Sequence, residues 1–464
     1  MNKLLQVQVQ RLTRRKLLKY GFFSGAAATL PASIFLNGCD SRPERKNLHT
    51  GGPNIVVVLC DTLRPDYLSF YGFPKKTSPF LAELADKSVV FKRAFSTSSW
   101  TAPSVASLFT SRYPHRQGVV EGFFCHKQRM DKFKKDGKVI VELNRIPSDI
   151  PSMPEIFKAL GYKTFGVAAN RNIAGEIGFS RGFDEFKMTR QASAKDLYKC
   201  IKNWRKQIFT GKSFVYVHFN DVHAPYDKHL RYYDKPKDPV EEPKARYLSE
   251  ITYMDKYIAK LYKILHCNQN TIFVALSDHG EEFLDHGDIR HGSKLYRELT
   301  QVLMMFHAPF LPFRQRDINI NVSLIDVLPT LLKLIKVKTI EGMEGHCLKQ
   351  ILMCVDDAAL TEKLHNRTLF AHRIIDDPQL NIWAAVHQHW NMIEFQDETK
   401  KLFDHRIDSR ELHDVFSKNL HLTSQLISKL KYFKEQGKRN SETTPVTFDK
   451  SLVETLKSLG YTDD

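Results

Sequence analysis

Cysteine is scarce in this chain: seven in 464 residues, at 39, 60, 125, 200, 267, 347 and 354. No two stand in a CxxC and no spacing suggests a disulfide scaffold. A chain of this length needs no such staples, so most are expected to be buried thiols, with one chance pairing left open. Acidic residues are missing altogether from residues 1–38. Beyond Tyr20–Leu36 there is no apolar run approaching the length of a membrane span. A nucleic-acid motif is also missing, although the formal charge is +17. The basic residues are spread among acids, and clusters such as Lys132–Lys138 and Lys199–Lys206 read as solvated faces. What the chain does have is apolar material: 42% hydrophobic residues supply a large core and exclude wholesale disorder.

Part of the basic excess is local. Lys3, Arg11, Arg14, Arg15, Lys16 and Lys19 precede an uncharged stretch rich in Ala, Phe, Leu and Ile, which ends at Asn37-Gly38-Cys39. A basic region, a short apolar region and small residues in that order describe an export signal. Thr13-Arg14-Arg15-Lys16-Leu17-Leu18-Lys19 resembles the bacterial twin-arginine motif, and Leu36-Asn37-Gly38-Cys39 resembles a lipobox with an unusual Asn. The resemblance implies removal of residues 1–38, acylation of Cys39 and a polar tether over 39–52. It also implies a periplasm-facing protein, anchored by lipid to the bacterial membrane; Asp40 favours the inner one. An uncleaved signal anchor is the alternative. The twin-arginine route carries folded proteins, often with a cofactor in place, which hints at a metal or cofactor enzyme.

From Pro53 onward, β-branched runs alternate with helical patterns, as in an α/β fold with a largely parallel central sheet flanked by helices. Asn54–Cys60, Thr164–Ala169, Ser213–Phe219 and Thr271–Ser277 are continuous apolar runs, expected of strands buried on both faces. Ser78-Pro79 reads as a helix cap, and Ser152 as the start of a helix that stops at Gly161. Ile251, Met254, Ile258, Leu261 and Leu265 form one helical face. The strands end in polar residues: Asp61 after the first, Asn170-Arg171 after the second, Asp221 and His223 after the third, which itself contains His218, and Asp278-His279 after the fourth. Ligands of open parallel sheets bind at the carboxyl ends of strands. Carboxylates and imidazoles gathered there are the donor set of a divalent cation.

Trp100-Thr101-Ala102-Pro103-Ser104 places Thr101 at or near a helix N-terminus. Amide groups and the dipole there favour an anion, and a hydroxyl beside a cation is a nucleophile for phosphorus or sulfur. A plain capping role is the alternative reading of this segment alone.

Asp61, Thr101 to Ser104 with Leu108 to Pro114, and Ser277-Asp278-His279-Gly280-Glu281 resemble, in order and separation, the sulfatase family of the alkaline phosphatase superfamily. Tyr71-Gly72, Gly161-Tyr162, Gly182-Phe183-Asp184, Asp221 to Tyr226 and Ser323 to Leu332 add to the likeness. The resemblance implies a catalytic domain over 53–335 and a small C-terminal α+β subdomain over 336–464. Marks of the latter are Trp390 to Ile393, Leu402 to Asp404 and Leu459-Gly460-Tyr461.

The chain departs from the usual sulfatase at its nucleophile. Thr101 stands where the family carries the Cys, or occasionally Ser, that becomes formylglycine, and Val105 where it carries Arg. Oxidation of threonine gives a ketone, so formylglycine is not expected. Thr62 replaces a second Asp, and Ala169-Asn170-Arg171 replaces a Lys and His that grip sulfate. The set is more similar to the superfamily's phosphodiesterases and phosphoethanolamine- or glycerophosphate-transferring enzymes, which use threonine. The implied assignment is one divalent metal ion, calcium, manganese and zinc undistinguished, on Asp61, Thr101, Asp278 and His279. Thr101 is then the nucleophile, with His223 and His291 as catalytic groups and Asn170 and Lys294 on the substrate. Asp221 is a candidate for a second cation, Arg64 a partner of a core carboxylate, and Glu281 and Glu282 helix-start charges.

The expected activity is hydrolysis of sulfuric or phosphoric esters, phosphoesters favoured. The substrate is an anionic ester of a glycan, lipid or small molecule, with no nucleic acid as partner. The alternatives are an envelope phosphotransferase and an inactive sulfatase-like binding protein.

Overall fold

The computed structural model describes residues 52–123, 135–190, 192–313, 315–355, 357–373, 381–437, 441–450 and 452–454. The export signal, Cys39, Cys125 and Leu459 to Tyr461 lie outside them. The five described cysteines are all free thiols. No helix among the described residues is long and apolar enough to cross a membrane.

Asn54–Cys60 (β1) is uninterruptedly apolar because it is buried on both faces. Ile55, Val57 and Leu59 enter one layer of the core and Val56, Val58 and Cys60 the other. It lies inside an eight-stranded sheet with Val89–Phe91 (β2), Lys163–Ala168 (β3), Glu185–Met188 (β4), Ser213–Phe219 (β5), Thr271–Ser277 (β6), Met304–His307 (β7) and Arg316–Ile318 (β8). The order is β8-β2-β7-β6-β1-β5-β3-β4. Every pairing is parallel except those of β7, which runs against β6 and β2. The largely parallel sheet read from the sequence is therefore present, with one strand reversed.

Helices cover both faces. Pro79–Ala85 (α1), Ala194–Ile208 (α4) and Glu242–Ile264 (α5) pack on one side; Thr101–Thr110 (α2), Met153–Ala159 (α3) and Val327–Leu334 (α6) pack on the other. Ile251, Met254, Ile258 and Leu261 of α5, and Leu265 just beyond it, are buried as one stripe. Ser152 and Glu155 form a capping box at the start of α3. The cap expected of Ser78 is different: its hydroxyl makes no cap bond. Asp255 of α5 reaches across instead and accepts from the amides of Phe80 and Leu81 at 2.8 and 2.9 Å. A charged carboxylate answers two orphan amides where a hydroxyl answers one, which is why the tertiary cap replaces the local one.

Thr368–Arg373 (β9), Ile382–His387 (β10), Trp390–Glu394 (β11) and Lys400–Asp404 (β12) form an antiparallel sheet in that order. Leu420–Glu435 (α7) lays Leu426, Leu430 and Phe433 on it, and the cluster includes Tyr113 and Ile325 of the larger unit. The segment Glu442–Phe448 pairs antiparallel with Val139–Arg145, and Phe448 enters the main core.

Candidate active site

The register of the central strands brings their polar ends together. Leu59 of β1 and Ala168 of β3 both lie level with His218 of β5, and Cys60 lies level with Ser277 of β6. Asp61, Asn170, Asn220 and Asp278 follow within two residues of those positions, and all four are buried. The site therefore sits at the carboxyl edge of the sheet, where four parallel strands stop together.

Thr101 is the first residue of α2, after an extended Trp100, and is fully buried. Its Oγ1 lies 3.4 Å from Asp61 Oδ1, 3.3 Å from His279 Nε2 and 3.3 Å from Asn170 Nδ2. The Asn170 amide also donates to Asp61 Oδ2 and to Asn220 Oδ1, so one side chain bridges the acid and the hydroxyl. His279 Nε2 stands 3.4 Å from Asp61 Oδ1 and 3.6 Å from Asp278 Oδ2. The other ring nitrogen of His279 is 2.9 Å from the Gly280 carbonyl, so Nδ1 donates there and Nε2 is the atom turned to the acids; burial opposes its charge, but Asp278 and Asp61 push the ring up to about 9.

His218 is visible in the sequence only as a polar residue of the third strand, without an individual role. It projects from β5 with its Nε2 3.7 Å from Asp61 Oδ2, and ligand atoms of Asp61, His218 and Asp278 lie within 4.8 Å of one another. Among the described residues neither nitrogen of His218 has a hydrogen-bond partner, and neither does Asp278 Oδ2. An orphaned buried polar group costs about 1–3 kcal/mol, so His218 Nε2 and Asp278 Oδ2, both orphaned beside Asp61, are the mark of a cation's donor set. Electrostatics agree. Burial and the neighbouring Asp61 charge push Asp278 well above the usual carboxylate range. Burial also acts on Asp61, but the His279 hydrogen bond and nearby imidazoles hold it below that range. Burial pushes His218 down to about 4, leaving it neutral and fit to ligate. Two adjacent carboxylates cannot both stay charged here without a compensating cation.

His291 and His223 extend the row of rings. Ring centroids are 4.5 Å apart for His279 and His291, and 4.9 Å for His291 and His223. His223 Nδ1 lies 3.0 Å from the Ala224 carbonyl. His291 Nδ1 lies 2.8 Å from Glu281 Oε1, and Tyr226 donates to the second oxygen of the same carboxylate at 2.5 Å. The expectation that Glu281 and Glu282 are helix-start charges is overturned. No helix begins there: Glu282–Phe283 is a short strand paired with Ile289–Arg290, and Glu281 is completely buried as the holder of His291. Burial opposes its charge, but the His291 imidazole and the Tyr226 hydroxyl keep Glu281 low, while burial sends His291 down to about 4.

Lys294 is not brought to the hydroxyl. Its ammonium binds Glu282 at 3.0 Å and the His286 carbonyl at 2.8 Å, and no described contact joins it to Thr101. Arg64 is buried between Asp66 and Asp285 and also donates to the Glu281 carbonyl. Asp221 faces away from the hydroxyl: its Oδ1 accepts the first amide of α4, and burial pushes it up to about 7.

The family model described as Sulfatase matches residues 53–337. The chain belongs to the sulfatase family. An ulvan-active sulfatase of Formosa agariphila is 28% identical over 367 residues, covering 67% of each chain. An N-acetylgalactosamine-6-O-sulfatase of Bacteroides thetaiotaomicron is 36% identical over 97 residues, 20% of this chain and 19% of that one. Among solved structures, one determined with its substrate D-glucosamine-2-N,6-O-disulfate superposes with a TM-score of 0.68 at 15% identity, over 84% of this chain and 99% of that one. The phosphonate monoester hydrolase of Agrobacterium radiobacter superposes with a TM-score of 0.64 at 14% identity, over 83% and 96%. This sulfatase-family hydrolase thus shares its fold with proteins named for sulfate and for phosphonate esters.

Proposed function

We propose that this family member is a divalent-cation-dependent hydrolase in which Thr101 is the nucleophile and phosphoric esters are preferred to sulfuric ones. The observation that carries the reading is the position of the Thr101 hydroxyl. It opens α2 and lies within 3.4 Å of Asp61, His279 and Asn170. Asp61, Asp278 and His279, with His218 beside them, would hold the cation, which lowers the pKa of a neighbouring hydroxyl and screens the charge of an anionic ester.

The chain's own groups do the rest. Asn170 holds the threonine oxygen through its amide and fixes the direction of attack. The opening turn of α2 turns amide hydrogens and the positive dipole end toward negative oxygens. The threonine oxygen bonds to phosphorus as the bond to the leaving alkoxide breaks, giving a threonine-bound ester that water then releases. The rings of His223 and His291 have Nδ1 engaged by the Ala224 carbonyl and by Glu281, so Nε2 is the atom that trades protons. One ring carries the proton from the Thr101 hydroxyl to the leaving oxygen, and the other carries the proton of the incoming water to the departing threonine oxygen. Threonine cannot yield the aldehyde of formylglycine, which supports the phosphoester preference.

The test is a hydrolysis panel of aryl sulfate, phosphate monoester, phosphodiester and phosphonate monoester with the metal-loaded protein and Thr101→Ala. We expect a phosphorus ester to be turned over and Thr101→Ala to lower kcat by at least about 1,000-fold. A wild type and variant equally inactive on all four would remove the nucleophile, and preference for aryl sulfate would reverse the substrate choice. The relatives named for ulvan and for N-acetylgalactosamine sulfates make anionic glycans the first natural substrates to try. We further propose that acylation of Cys39 tethers the enzyme to the bacterial membrane, facing the periplasm. Cys39→Ala is then expected to move it from the membrane fraction to the soluble one, and unchanged membrane retention would reject the lipid.

A further inference from the structure

The segment leaving β5 carries His223 and Tyr226, and both of its ends are fastened to the α4–α5 side of the sheet. At the front, Asp221 Oδ1 accepts from Ala194 N at 2.9 Å. At the back, Glu250 Oε1 accepts from the amides of Lys228 and His229, each at 2.8 Å. His229 joins the two ends. Its Nδ1 lies 2.7 Å from Glu250 Oε2 and 3.7 Å from Asp221 Oδ1, and its ring stacks on Tyr253 with centroids 3.3 Å apart.

Hydrogen bonds account for three of the four carboxylate oxygens. Asp221 Oδ2 has no partner among the described residues, although Asp221 is only 2% exposed. Glu250 is fully buried, so two carboxylates share the single ring proton that His229 Nδ1 can offer. One donor atom from each of the three side chains lies within 4.8 Å of the others. The comparable group Glu282–His286–Glu298 differs in one respect: the Lys294 ammonium already supplies its cation at 3.0 Å from Glu282.

We propose that Asp221, His229 and Glu250 form a second cation site, made of different residues from the Asp61–Asp278–His279 group. It clasps the His223–Tyr226 segment at both ends. Binding replaces the proton on His229 Nδ1, which leaves to solvent, and gives the Asp221 carboxylate the positive charge it lacks. Two carboxylates and one imidazole form a mixed oxygen–nitrogen set, which favours a transition cation such as zinc or manganese over calcium. His229 is the solvent-facing member, 16% exposed, and marks the way in. The inference does not depend on the chemistry given to Thr101.

The experiment is metal stoichiometry by mass spectrometry on the protein stripped with chelator and re-equilibrated with zinc. Two equivalents per chain are expected. Glu250→Gln and His229→Phe should each retain one, Asp278→Asn should retain one, and Asp278→Asn combined with His229→Phe should hold none. Phenylalanine keeps the stack on Tyr253 at a partly exposed position, so His229→Phe reports on the site even if Glu250→Gln fails to fold. A metal content that His229→Phe leaves unchanged would overturn the proposal, whatever the Asp61 group binds. The hydrolysis panel with Thr101→Ala reads a different quantity, so the failure of one reading leaves the other standing.

Discussion

Glu281 shows how a single side chain can hide its part in a site. In sequence it follows Asp278-His279-Gly280 and reads as a helix-start charge. In the fold its two oxygens are held by His291, ten residues away, and Tyr226, 55 residues away. Neither partner is visible from a local pattern. His218 escaped for a related reason: a strand buried on both faces has no alternation that would mark one residue as special. The strand ends at Asp61 and Asp278-His279 and the helix start at Thr101 are legible as local punctuation, while the roles given to them come from the resemblance to the sulfatase family. The negative charge of Glu281 keeps the His291 Nδ1 proton in place, so Glu281→Gln should lower kcat about 10- to 100-fold with cation content unchanged. Stopped kinetics and metal analysis on one preparation check this; unaltered kcat, or loss of the cation, would contradict the positioning role.

At the scale of elements, the loop after β6 is set by a close approach. A Cβ on Gly280 would stand 1.8 Å from the Glu298 carbonyl oxygen and 3.0 Å from Arg64 Cγ. The Gly280 amide donates to the Leu299 carbonyl at 2.9 Å, so the loop cannot simply swing aside. Gly280→Ala must push backbone against backbone between His279 and Glu281, and a destabilisation of about 3 kcal/mol is expected, with weakened cation binding. Gly211→Ala, where no atom lies within 4 Å, serves as the control and should be near neutral in urea unfolding. Equal behaviour of the two variants would show that the contact is not tight. The central strands and the buried stripe of α5 were readable from apolar runs and helical spacing. The capping of α1 by Asp255 was not, since its 175-residue reach obeys no local rule.

For the whole molecule, the junction between the main sheet and the C-terminal sheet is a point of sensitivity to acid. His115 follows α2, and His372 lies in β9; His372 Nε2 accepts from the His115 amide at 3.3 Å and the rings are 5.1 Å apart. Burial pushes His115 down to about 4, and burial with the nearby His115 pushes His372 further below its ordinary value. Both are therefore neutral when folded, and the unfolded chain binds protons that the folded one refuses. Their contribution is complete above about pH 6.5 and is lost as pH falls toward 4, by about 2 kcal/mol for His115 alone at pH 5. Urea unfolding at pH 7.5 and pH 5 should show this gap, and His372→Gln, which keeps an acceptor for the His115 amide, should narrow it. An unchanged gap would place the acid sensitivity elsewhere. Here the sequence was silent, because imidazoles brought together from positions 115 and 372 carry no motif.

The pairing of Val139–Arg145 with Glu442–Phe448 has a consequence in time. The first of these strands leaves the ribosome nearly three hundred residues before its partner. At ordinary rates of synthesis it waits about 15–60 s for that partner. Through that interval its edge is an open template for other chains, and the core that Phe448 completes is unfinished. The nascent protein thus carries an unpaired edge until late in translation, and a chaperone that guards this edge would raise its yield.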